Sequence, residues 1–172
     1  GGCATNRRMR RLQVPEANNP TQSNGQTICI RSVTDDRVFQ QNPSEPDIPS
    51  LGFGGSNAAS KDFKKRAIAR KRNTYGKALG DIFLHENQTV ESIIKDTLTT
   101  SFHELGYEVI DNNENLKENT IIINTSIEKF WPWMKPGFWA ISLRSEIGTK
   151  ITIVNQDTPK EIYVKAQGDF QI

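Results

Sequence analysis

The chain is poor in the residues that most enzyme chemistry needs. Two histidines and two cysteines are all it holds in 172 residues. There is no Cys-x-x-Cys and no Cys/His cluster, which argues against a structural zinc site. Neither His85 nor His103 stands at a spacing that pairs it with a nucleophile, so Ser/His or Cys/His catalysis has no visible constellation. The Gly-x-Ser-x-Gly elbow, the Walker loop and His-Glu-x-x-His are all missing. Gly52-Phe53-Gly54-Gly55 lacks the strand–loop–helix context of a phosphate cradle and reads as a loop. No run of 18 apolar residues occurs, so no helix is expected to span a membrane. These gaps predict a protein that is not an enzyme and needs neither metal nor cofactor.

The two cysteines have different surroundings. Cys29 lies within Thr27-Ile28-Cys29-Ile30 and reads as a small core residue. Cys3, in Gly1-Gly2-Cys3-Ala4-Thr5, looks like the lipid-attachment cysteine of a bacterial lipoprotein. Several acyl chains on it, each buried CH2 worth about 0.8 kcal/mol, would make a lasting anchor. Ala4 rather than Asp after that cysteine points to the outer membrane, on its periplasmic face. The alternative is that Gly1-Gly2 is a cloning remnant and Cys3 an ordinary thiol. A Cys3–Cys29 disulfide would gain little at the end of a loose segment. Residues 1–26 carry Asn, Arg, Pro, Gln, Thr and Ser with almost nothing to bury, and are expected to be a leash.

Charge is unevenly spread. Arg7, Arg8, Arg10 and Arg11 form one basic cluster; Lys61, Lys64, Lys65, Arg66, Arg70, Lys71 and Arg72 form another. These hold half of the 22 Lys and Arg, so the rest of the chain is acidic. The first cluster follows the expected anchor, where it can meet anionic headgroups; a solvated leash is the plain reading. The second, with Phe63 and Tyr75 interleaved, resembles a nucleic-acid stripe in composition only. No nucleic-acid motif accompanies it, so an acidic protein partner or a lipid headgroup fits better, with a solvated face as the plain reading.

Periodicity places the elements. Thr27–Val33 reads as a strand, and Asp35-Asp36-Arg37 as a solvated turn at its end. Pro43, Pro46, Pro49, Gly52, Gly54 and Gly55 forbid regular structure through about residue 58. Lys61 to Arg72 is a candidate short basic helix inside a long irregular arm spanning about 35–88. Val90, Ile93, Ile94, Thr97, Leu98, Phe102 and Leu105 form a helical stripe over Thr89–Leu105, with Thr89 as cap and Gly106 as stop. His103, one residue off the stripe, reads as an ordinary helical histidine. Tyr107, Val109 and Ile110 suggest a brief extended piece. Thr120–Phe130 alternates, with Ile121, Ile123 and Ile127 on one face. Residues 139–147, 150–154 and 161–169 continue in strand-like sequence, with Asp157-Thr158-Pro159 as a turn.

The expected fold is therefore α+β: a two-layer sandwich with one main helix on an antiparallel sheet of four to five strands. It forms a single domain over 27–172, following the leash. The expected core is Ile28, Ile30, Val90, Ile93, Ile94, Leu98, Phe102, Leu105, Ile121, Ile123, Ile141 and Leu143. All three tryptophans fall between Phe130 and Trp139, around Pro136-Gly137, which suits a type II turn. Trp131 and Trp133 are thus candidates either for an exposed partner-binding tip or for the closure of the core. Lys64, Lys65, Arg70, Arg72 and Tyr75 are the partner-binding candidates on the arm.

Three stretches together resemble YajG-like bacterial lipoproteins. They are Ser32-Val33-Thr34-Asp35-Asp36-Arg37-Val38-Phe39 with Pro43–Leu51, Ala69–Asp81, and the helix from Val90 to Gly106, all following the lipid-type cysteine. The resemblance covers about 27–170. It offers no catalytic residues, and family members usually continue into a further helix after the last strand. It implies a non-enzymatic accessory subunit of an envelope complex of secretion or flagellar type, working with other protein subunits in a larger oligomer. The alternative from a different class is a periplasmic binding module for an anionic ligand such as a lipid headgroup or glycan.

Overall fold

The computed structural model describes residues 6–11, 22–44, 48–52, 55–57, 59–72, 75, 77–111, 116–131, 133–135, 142–155 and 160–171. The elements run β1 (Asn6–Arg10), β2 (Thr27–Asp35), α1 (Lys61–Arg66), β3 (Ala67–Arg72), β4 (Ala78–Leu84), α2 (Val90–Glu104), β5 (Glu108–Asp111), β6 (Ile121–Phe130), β7 (Trp133–Lys135), β8 (Ser142–Ile153) and β9 (Lys160–Gln171). They build a six-stranded sheet in the order β5-β2-β6-β8-β7 with β9 also on β8, and a three-stranded sheet in the order β1-β4-β3. The chain is α+β.

Helix α2 is where the sequence pattern says it should be. Thr89 Oγ1 accepts from the Ser92 amide at 3.1 Å, and Ser92 Oγ accepts from the Thr89 amide at 2.9 Å. This reciprocal capping box satisfies two donors that would otherwise be orphaned at the helix start. Glu91 in the first turn also accepts from the Asp35 amide at 2.9 Å, tying the helix to the end of β2. At the other end Gly106 has φ +92°, and a Cβ there would stand 2.4 Å from the Gln22 carbonyl oxygen, so only glycine fits. Leu105 departs from the expected core: it is 67% exposed. The helix ends one residue before it, and an edge-to-face pair of Phe102 and Tyr107 closes that end instead.

The expected antiparallel sheet is in fact mixed. Strand β2 pairs in parallel with both β5 and β6, while β6–β8, β7–β8 and β8–β9 are antiparallel. Alternation along a strand reports which face is wet, not which way its neighbour runs. Direction follows from connection: a parallel partner needs a crossover, and α2 supplies it between β2 and β5. The run Thr27–Ile30 is buried at every position, which is the mark of a strand covered on both faces. Cys29 is fully buried there as a free thiol, and burial pushes its pKa up.

The irregular arm is corrected as well. Ser60 caps α1, and the chain passes from Arg66 straight into β3. Strands β3 and β4 form an antiparallel hairpin, and β1, from the expected leash, adds to β4 in parallel. Ile68, Ala69, Ile82 and Leu84 of this small sheet pack on Val90, Ile93 and Ile94 of α2 and on Ile127 and Phe130 of β6. That burial is what turns Ala67–Arg72 from a basic helix into a strand. A second cluster, Ile28, Ile30, Ile123 and Ile151, sits between α2 and the large sheet, with Leu98, Phe102 and Ile121 packed against it. Ile141, Trp139 and the turns at 136–137 and 157–159 lie outside the described residues, as does the side chain of Leu143.

The Pro/Gly stretch after β2 is irregular, as expected, yet fastened down. Ser56 Oγ donates to the Gln40 carbonyl at 2.7 Å and accepts from the Leu51 amide at 3.0 Å. Leu51 then packs with Ala67, Phe83 and Trp131.

Candidate functional site

The small sheet is the site that the fold assembles. Its outer strands carry Arg7, Arg8 and Arg10 on β1 and Arg70, Lys71 and Arg72 on β3. Parts of the two basic clusters, far apart in sequence, therefore flank one central strand, while Lys61, Lys64, Lys65 and Arg66 stand on α1. In register, Arg7, Asp81 and Arg70 form one row across the sheet, and Asn6, Gly80 and Lys71 the next. Asp81 is the only acid in the three strands and is 1% exposed. Its carboxylate accepts the Gly52 amide at 3.0 and 3.2 Å, and Arg70 Nε stands 3.5 Å from Oδ1. Burying a lone carboxylate would be costly; the amide and the neighbouring guanidinium offset that cost.

The expected site residues fare differently. Arg70 is half-buried, donates to Ser50 Oγ at 3.2 Å and belongs to the Asp81 arrangement rather than to an open contact surface. Lys64 stands on α1 with Nζ 5.8 Å from the Phe39 ring centre, while Lys65 is exposed. Arg72 pairs with Ala78 at the end of β3. Tyr75, at the β3–β4 turn, is 93% exposed. Trp131 is 1% exposed and meets Phe39 edge to face at 5.7 Å, so it closes the core and is not an exposed anchor. Trp133 opens β7 opposite Arg144. Cys3 lies outside the described residues.

One arrangement escaped the sequence reading. Arg37 is buried and lies at the centre of the junction between β2, α1, β3 and β6. Its Nε and Nη2 donate to the two oxygens of Asp35, both at 2.8 Å. Nη1 donates to the carbonyls of Ala67 at 2.7 Å and Phe130 at 3.0 Å, and Nη2 to that of Lys64 at 2.8 Å. The expected solvated turn is thus half right: Asp36 is exposed and accepts from Ser126 Oγ, whereas Asp35 and Arg37 form a buried bidentate pair. The available signal was an arginine two residues after an aspartate at a strand end, followed by Val38 and Phe39.

Among the described residues no group of three or more His, Cys, Asp and Glu is placed to hold a metal ion. His103 is exposed on the last turn of α2, as expected. A surface hollow of about 310 Å3 beside the start of α2 has mixed charge, with Arg31, Glu91 and Lys95 on its walls. The small sheet is rich in positive charge: its three strands hold six Lys and Arg against one Asp. The body beside it is acidic: α2, β5 and β6 carry six Asp and Glu against two Lys.

No family model matches this chain, and no curated protein does. A solved structure described as "Crystal structure of uncharacterized protein" aligns with 94% of this chain and 81% of its own, at 11% identity and a TM-score of 0.36. Likeness at that level carries no argument about fold or function.

Proposed function

We propose that this chain is a non-enzymatic lipoprotein subunit of an envelope complex of secretion or flagellar type, held at the periplasmic face of the outer membrane by acyl chains on Cys3. The observation that carries the reading is one small sheet that begins three residues after that cysteine and joins Arg7, Arg8 and Arg10 of the first basic cluster with Arg70, Lys71 and Arg72 of the second. Acylation supplies the tether and the acidic body faces other subunits, with α2 on the large sheet as a two-layer sandwich. Lys65 on α1 supplies an exposed positive charge for a protein partner, and Lys64 lies beside it.

Two measurements test the proposal. Metabolic labelling with a fatty-acid analogue is expected to mark Cys3, and Cys3→Ser is expected to move nearly all of the protein from the outer-membrane fraction to the soluble periplasmic pool. An unlabelled Cys3 refutes the anchor. Crosslinking and mass spectrometry in native membranes are expected to join Lys65 to other envelope proteins. A soluble anionic glycan that raises the melting temperature, with no such crosslinks, would favour a ligand-binding module instead.

A further inference from the structure

We infer that the β3–β4 hairpin tip, with Arg72, Tyr75 and Lys77, is a membrane-contacting element that docks on anionic lipid headgroups and sets the orientation of the domain; this rests on acylation of Cys3. Strand β1 runs parallel to β4, and Asn6 pairs with Gly80, whose other neighbour is Lys71. The amino terminus and the hairpin tip therefore leave the small sheet at the same end. Asn6 is three residue steps from Cys3, a reach of at most about 11 Å. An acyl chain embedded at Cys3 thus holds this end of the sheet close to the headgroup plane. Charges there act within a Debye length of about 8 Å.

The chemistry of the tip suits that position. Tyr75 is 93% exposed, Lys77 two residues on is also exposed, and Arg72 ends β3. A tyrosine has an apolar ring and a polar hydroxyl, and it favours the headgroup layer. Each basic side chain near an anionic surface strengthens binding roughly fivefold. Helix α1 joins β3 at its opposite end, about 16 Å away along the strand, and carries the exposed Lys61 and Lys65. The acidic elements α2, β5 and β6 would be repelled by the same leaflet, which adds to the orientation. A protein partner at the tip is the competing occupant. The short reach from the acylated cysteine to this end of the sheet favours lipid.

The test uses the full chain with Cys3→Ser, so that it reads the tip and not the anchor. Its binding is measured on vesicles of phosphatidylcholine alone and of phosphatidylcholine with phosphatidylglycerol. Binding is expected only with the anionic vesicles and should fall as salt rises. Arg72→Gln with Lys77→Gln should weaken it roughly 25-fold, and Tyr75→Ser should weaken it further. Lys61→Gln with Lys65→Gln removes the same charge from the far end and should leave binding within about threefold. Equal weakening by the two charge pairs, no weakening by the tip pair, or equal binding to neutral vesicles overturns the inference. So does a tip variant that keeps vesicle binding but loses its protein crosslinks in native membranes. Failure of the anchor is seen separately, as an unlabelled Cys3 in the unaltered chain.

Discussion

Trp131→Ala is expected to cost about 3–5 kcal/mol in equilibrium denaturation, the range for emptying a large aromatic site in a core. The indole is 1% exposed and packs with Leu51, Ala67 and Phe83, which come from the fastened loop, β3 and β4. Its edge-to-face contact with Phe39 adds about 0.5–1.5 kcal/mol beyond burial. Phe39→Leu should therefore cost less than Trp131→Ala, and Trp131→Phe should recover part of the loss. Against a total stability of about 5–15 kcal/mol, the alanine variant stands near the edge of folding. A loss below about 1 kcal/mol would mean that the ring is not packed where it lies.

Arg37→Met is expected to be comparably severe, about 3–5 kcal/mol, because it removes one member of a buried ion pair and leaves the other. Asp35 would keep a carboxylate whose side chain is 7% exposed, with no guanidinium beside it. The carbonyls of Lys64, Ala67 and Phe130 would each lose a charged donor. The double variant Asp35→Leu with Arg37→Met should be less damaged than the sum of the two single changes, since no orphaned charge remains. Strict additivity would show that the pair is not coupled. Because Arg37 fastens the α1–β3 junction, its loss should expose residues 61–72 to protease before the large sheet opens. Cleavage elsewhere first would contradict that placement.

Much of the fold was legible. The stripe from Val90 to Phe102, the cap at Thr89 and the stop at Gly106 named α2 to within a residue at each end. Ile123 and Ile127 of β6 face the core as their alternation requires, and Glu128 faces water. Cys29 sits in the core, as its neighbours imply. The site was legible only in pieces. The basic residues were visible as two clusters, but nothing local joins Arg7 to Arg70. The plain reading of a charge run is a solvated surface, and it hid β3. A strand can carry Arg and Lys when their stems lie along the sheet and their heads reach water.

The sequence by itself determined the elements whose signal is local. These are the amphipathic helix with its caps, the apolar run of β2, the alternation of β6, and the uneven distribution of charge. Tertiary structure alone decided that β2 runs parallel to both of its neighbours, that β1 and β3 meet across β4, and that Asp35, Arg37, Asp81 and Trp131 are buried. The division has a physical cause. Helical and strand periods are written in side chains a few residues apart. Pairing direction, the meeting of distant charges and the burial of a polar pair depend on which segments come together, and a single stretch of chain holds no record of its partners.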